Sequence, residues 1–216
     1  MRWPVYLYYL FMIVCFIDSL FYFKYFKIRL LAILLFFSIL VEVLSEWIGV
    51  AGSDHFFLYH FYNILEYVWV TWILFACINN SKNYLRIFLI ISMILYACLS
   101  LWISYEIEDL HKFPSISTNI ESVGVIIWCL IGFWKIEPIN DIPIQRRSDF
   151  WIILAFFVYF SGTFCFNSIY NYLLNNGKQT AESLFSIINS FFNYLLYIFL
   201  IIGLQCFRTE RKYSEQ

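Results

Sequence analysis

Long apolar stretches and short polar interruptions alternate along the chain. Seven apolar runs can be marked off, approximately residues 3–23, 28–50, 57–78, 84–104, 114–136, 150–173 and 183–207. Each can cross a hydrocarbon core of about 30 Å at about 1.5 Å per residue. A backbone in lipid must satisfy its own hydrogen bonds, which leaves helices or closed barrels. The runs are too long and too continuous for the period-two alternation of barrel strands. The pattern predicts an all-α polytopic membrane protein with seven transmembrane helices, residues 1–216 forming a single helical-bundle domain. The first run reads as a retained span rather than a cleaved signal, because Asp18 interrupts it and no small-residue cleavage site follows.

Composition strengthens this reading. The chain is 62% hydrophobic and 13% charged, whereas soluble domains sit near half apolar and about a quarter charged. The partner this composition implies is the lipid bilayer, with no nucleic-acid partner indicated. Cys15, Cys77, Cys98, Cys129, Cys165 and Cys206 lie singly inside apolar runs, so neither a disulfide framework nor a zinc site is suggested. No cofactor is expected, beyond a cation bound among acidic residues.

The net charge of −1 hides a strong segregation. If all seven runs cross, Lys24, Lys27, Arg29, Lys82, Arg86, Lys135, Arg146, Arg147, Arg208, Arg211 and Lys212 share one side, leaving Arg2, Lys112 and Lys178 on the other. The fifth run is the weakest, with Asn119, Glu121 and Ser122 near its start. Were it not to cross, the split of eleven against three would become six against eight. The positive-inside rule therefore favours seven crossings, with the N-terminus outside and the C-terminus cytoplasmic. The basic tail around Arg208 reads as a headgroup anchor, and Pro114 as a first-turn residue of the fifth helix.

This orientation assigns a depth to every polar residue. Glu42 and Glu46 rise toward the outer end of the second span, and His60, Asn63 and Glu66 lie in the outer half of the third. Asn167, Asn171 and Asn175 recur every fourth residue near the outer end of the sixth. Glu182, Ser186, Asn189, Asn193 and Tyr197 form one helical face of the seventh. Glu46, Glu121 and Glu182 fall near wet headgroup territory, and Asp18 toward cytoplasmic water or Lys24. Asn and Ser often join membrane helices by hydrogen bonds, at roughly 0.6–2 kcal/mol each. Glu42 and Glu66 are hardest to read as glue, since a carboxylate at mid-bilayer costs about 2.5–3.5 kcal/mol even on lenient scales. The candidate site is an outward-facing polar pocket of Glu42, Glu46, His60, Asn63, Glu66, Glu121, Asn167, Asn171, Asn189 and Asn193. Lys and Arg are confined to loops and span ends. The deep carboxyls must therefore be protonated, be charged against His60, or meet a cation from outside.

Glu42-x-x-x-Glu46, His60-x-x-Asn63-Ile-Leu-Glu66-Tyr67, Tyr159-Phe160-Ser161-Gly162 and Asn189-x-x-x-Asn193 resemble a family of small, uncharacterised seven-helix bacterial membrane proteins. The resemblance implies seven helices and a multi-pass location in the bacterial inner membrane, and it brings no activity. Three function classes fit the residues. The first is transport or permeation of a proton, a cation or a small cationic or polar solute. The second is a seven-helix sensor that signals through a separate partner. An intramembrane metal enzyme built on Glu42, Glu66 and His60 is the third, and without HExxH or a Gly-x-Ser-x-Gly elbow the chain is expected not to be an enzyme.

Overall fold

In the computed structural model, which describes residues 3–50, 56–78, 83–108, 110, 113–136, 143–176 and 178–214, each apolar run becomes one α-helix. These are α1 Trp3–Phe21, α2 Phe26–Val50, α3 Phe56–Cys77, α4 Asn83–Glu106, α5 Ser115–Lys135, α6 Ser148–Asn176 and α7 Lys178–Ser214. Pro114 stands just ahead of α5 as its N-cap rather than inside the first turn. Having no side-chain acceptor of its own, it leaves that role to Glu108, whose carboxylate accepts the Ile116 backbone N–H at 2.6 Å. A negative charge there meets both the unpaired N–H groups and the positive end of the helix dipole.

Helix neighbours define the architecture. α1 packs on α2 and α7, α2 on α3, α3 on α5, α5 on α6, and α6 on α7, so six helices close a ring. α4 stays outside it, seated against α3 and α5. One face of α4 carries Ser92, Tyr96, Ser100 and Ser104 at four-residue steps, which places them in a single stripe. Every member of the stripe is bonded. Trp128 Nε1 donates to Ser92 at 3.4 Å, Tyr96 donates to the Ser117 carbonyl at 3.4 Å, Ser100 meets Ser117 at 2.6 Å, and Ser104 meets His60 at 2.8 Å. Leu85, Leu89 and Ile103 are buried beside this stripe, and on the opposite face Ile87, Ile90, Ile91, Ile94 and Leu95 are exposed, as a lipid-facing surface requires.

By length and composition, five helices can cross a membrane: α2, α4, α5, α6 within Ser148–Ser168, and α7 within Ile187–Glu210. A shorter apolar stretch, Leu7–Phe21, belongs to α1. The protein is therefore a multi-pass membrane protein, and α5, the weakest run in the sequence, is among the helices long and apolar enough to cross. α3 is more polar than these, and its surroundings explain why. It touches α2, α4, α5 and α6, so protein rather than lipid meets much of its surface, and His60, Asn63 and Thr71 are buried within it.

Close packing depends locally on missing side chains. A Cβ at Gly124 of α5 would lie 2.7 Å from Cε2 of Tyr67, whose ring is buried and held against Tyr96 with centroids 4.3 Å apart. Gly162 in α6 similarly admits the ring of Phe192 from α7.

At the end of the bundle that carries the start of α2, one group of charges is paired and largely buried. Asp149 in the first turn of α6 receives Lys27 of α2 at 2.5 Å and Arg147 at 3.0 Å. Glu210 of α7 accepts the Ser148 backbone N–H at 2.7 Å and the Ser148 hydroxyl at 3.0 Å, capping α6. Lys27 also donates to the Ser148 hydroxyl at 2.9 Å. Two residues read from sequence as part of a basic topology signal are thus fixed members of an ion network. The tail near Arg208 likewise does more than anchor, because Glu210 ties α7 to α6. Asp18 lines a groove with Arg208 rather than turning to Lys24.

Asp149→Asn would leave two buried cations without their common partner. Breaking a buried pair from one side costs about 3–5 kcal/mol, so thermal unfolding in detergent should show a clearly lower midpoint. A midpoint unchanged from wild type would mean water already screens this network.

Candidate functional site

Five helices of the ring enclose a cavity of about 250 Å³. Its lining follows helical spacing on each element. Ser38 and Glu42 come from α2, and Tyr59, Tyr62, Asn63 and Glu66 from α3. Thr118 and Glu121 come from α5, Tyr159, Thr163 and Asn167 from α6, and Asn189, Asn193 and Tyr197 from α7. Separations of three and four residues keep each set on one helical face. The cavity lies toward the C-terminal end of α2 and the N-terminal ends of α3 and α5, away from the Lys27–Asp149 network. Phe56 and Phe113 line it near the starts of α3 and α5, while Leu34, Leu35 and Leu200 add apolar wall.

Of the candidate residues, Glu42, Asn63, Glu66, Glu121, Asn167, Asn189 and Asn193 are brought to this one cavity. Two others are not. Glu46 is exposed and outside the lining, although Tyr9 donates to it at 3.4 Å and to Glu42 at 3.3 Å. Four residues after Glu42 at the far end of α2, it has run past the cavity mouth. His60 is 2% exposed but faces α4, where its Nδ1 meets Ser104 at 2.8 Å. It therefore joins two helices and does not stand beside Glu42 and Glu66. Asn171 belongs to α6, and its side chain, like those of Asn175, Glu182 and Ser186, lies outside the described residues.

Glu121 is the main correction to the sequence reading. Instead of sitting in wet headgroup territory it is 1% exposed, and among the described residues neither of its carboxyl oxygens has a hydrogen-bond partner, the nearby Tyr96 hydroxyl being turned to the Ser117 carbonyl. Glu42 and Glu66 are half-buried at the cavity wall. Within the lining there is no Lys, Arg or His among the described residues. Glu66 lies within electrostatic reach of both other carboxyls, so the three form one linked acidic system. No group of three or more His, Cys, Asp or Glu side chains among the described residues converges closely enough to hold a metal ion.

Sequence reasoning placed Tyr197 on the polar face of the seventh span but passed over Tyr59, Tyr62, Tyr159 and Thr163 as site residues. Tyr62 pairs with Ser38 at 2.6 Å and Tyr59 donates to Ser45 at 3.0 Å, while Tyr159 and Tyr197 line the cavity itself. The chain has 17 Tyr residues, so these four carry no contrast in sequence. A helical-face test anchored on Glu66 would have found Tyr59 and Tyr62, which precede it by seven and four residues.

No known protein family, curated protein or solved structure matches the chain. The motifs around Glu42, His60, Tyr159 and Asn189 therefore identify no family, and the finding is a seven-helix membrane protein.

An unpartnered buried carboxyl costs about 1–3 kcal/mol, and replacing buried charge by well-fitted apolar groups is often stabilising. Glu121→Leu should accordingly raise the melting midpoint of the purified protein in cation-poor buffer, where Asn63→Leu, which breaks the 2.8 Å bond to Thr118, should lower it. A lower midpoint for Glu121→Leu would reveal a structural partner for the carboxyl.

Proposed function

We propose that this protein binds a proton, a cation or a small cationic solute in its acidic cavity and carries it across the membrane. The observation that carries the reading is the charge imbalance: Glu42, Glu66 and Glu121 line one cavity whose described lining has no basic residue. Ionisable groups inside a membrane protein mark ion or substrate paths far more often than structural joints, and the unpartnered Glu121 has no structural bond to justify its burial. The reading is of binding and passage, not of an enzyme.

The segregated basic residues support a topology with the N-terminus outside and the C-terminus cytoplasmic, all seven helices crossing. The cavity then opens toward the outer half, and the Lys27–Asp149–Glu210 network seals the cytoplasmic end. A membrane of the bacterial inner type is the location this reading implies. A sensor remains the second reading on one specific observation. α7 lines the cavity through Asn189, Asn193 and Tyr197 and continues to Glu210, so one helix joins the pocket to the opposite end.

A reporter fused after Gln216 should behave as cytoplasmic, and a tag within residues 109–112 should be labelled from outside. A cysteine placed at Gln145 should resist an external thiol reagent, and labelling it from outside would refute the topology. Transport is checked on protein reconstituted in liposomes adsorbed to a capacitive electrode. Stepwise addition of proton, sodium, potassium or alkylammonium gradients should move charge in wild type and at least tenfold less in Glu66→Gln. Wild-type vesicles silent to all of these gradients would sink the transport reading.

A further inference from the structure

The acidic cavity differs from a metal site in shape and from a proton relay in its surplus of acceptors. Its carboxyls come from three different helices and do not converge on one point, so a single small ion cannot meet all of them. Several of its donors are committed to the protein. The Asn63 amide donates to Thr118 at 2.8 Å and the Asn193 amide to the Asn189 carbonyl at 2.9 Å. Thr118 donates to the Pro114 carbonyl at 2.6 Å and Thr163 to the Tyr159 carbonyl at 2.8 Å. Ser38 donates to the Leu34 carbonyl at 3.0 Å, which leaves Tyr62 as the donor in their 2.6 Å pair. One N–H of Asn63 and one of Asn193 are committed in this way, and the cavity still carries the amides of Asn167 and Asn189 and the phenols Tyr159 and Tyr197, yet among the described residues none of these donors reaches Glu121. The two bare oxygens of Glu121 are the direct sign of the shortfall.

A ligand that fits must bring positive charge at more than one point, several N–H donors, and an apolar spacer between them. The spacer would lie along the phenol rings and the Leu34, Leu35 and Leu200 wall. An alkylammonium group offers three donors and no acceptor, and aromatic faces attract cations. We infer that the cavity is a binding site for a linear aliphatic oligoamine, a diamine or triamine whose ammonium groups meet separate carboxyls. Glu121 takes the innermost ammonium group, and Glu42 and Glu66 take the others. The inference rests on the cation-binding reading above and narrows it to one ligand class.

The test is isothermal titration of the full chain in detergent with 1,4-diaminobutane, a linear triamine, butylamine, sodium and magnesium. Diamine and triamine should bind at least tenfold more tightly than butylamine, because only they meet two carboxyls at once. Glu66→Gln and Glu121→Gln should each weaken the diamine at least tenfold, while Glu106→Gln, an exposed carboxyl outside the cavity, should leave it unchanged. Butylamine or magnesium binding as tightly as the diamine, with the same loss in Glu66→Gln, would overturn the oligoamine inference and leave the cation reading standing. Diamine binding that survives both cavity substitutions would place it elsewhere and overturn the inference too. No binding of any of the five to folded, monodisperse protein would overturn the oligoamine inference and leave the proposed function to the proton and ion gradients above.

Discussion

Negative charge without a built-in counter-charge is the constraint on which this structure turns. Three glutamates share a cavity inside a helical bundle, and each is excluded from lipid by the cost of an exposed carboxylate there. The bundle answers with geometry. α3, which carries Glu66 and Asn63, is surrounded by α2, α4, α5 and α6, so its polar residues meet protein or cavity. α4 makes this possible by covering the remaining side of α3 and α5 through its Ser92–Tyr96–Ser100–Ser104 stripe. A helix that contributes nothing to the cavity is thereby necessary for it.

The two ends of the bundle solve the same electrostatic problem in opposite ways. Near the start of α2, Asp149 has Lys27 and Arg147, while Glu210 has the N-terminus of α6 and Ser148. That end is electrostatically closed, and its ion pairs tie α2, α6 and α7 together. At the other end Glu42 has one weak donor in Tyr9, 3.3 Å away, and Glu121 has none. Charges that serve folding alone would be expected to look like the first group. A protein that can build a complete network at one end and leaves the other incomplete has its open valences where a ligand can complete them.

The fold was legible because a bilayer imposes one strong rule: apolar runs of sufficient length become helices. Most boundaries moved by three residues or fewer, as at Pro114, whose place ahead of the helix goes with Glu108 arriving from another segment, while α7 runs five residues earlier and seven later than its apolar run. The site was legible in part, and the reason is rotational. Depth along a helix follows from counting residues, and it correctly grouped Glu42, Asn63, Glu66 and Asn193. Direction around the helix axis does not follow from depth. His60 and Glu66 lie on the same helix, yet one faces α4 and the other the cavity, and this depends on which helix packs where. Glu121 was misplaced for a related reason, since nearness to a helix end suggested water while α5 is covered there by α3 and α4.

The same contrast separates structural polarity from functional polarity inside the bundle. His60 with Ser104, Asn63 with Thr118 and Ser100 with Ser117 are interhelical pairs with both partners in place. Such pairs contribute roughly 0.6–2 kcal/mol to helix association and leave little to recruit. Asn63 differs from the other pairs in one respect, because it also lines the cavity. It holds α3 to α5 at the cavity wall, which places it between scaffold and site. Glu121, three residues beyond Thr118 on the same helix, is held at a set distance from that joint. The hydrogen bond that joins α3 to α5 therefore also constrains the spacing between Glu66 and Glu121, on which the proposed oligoamine site rests.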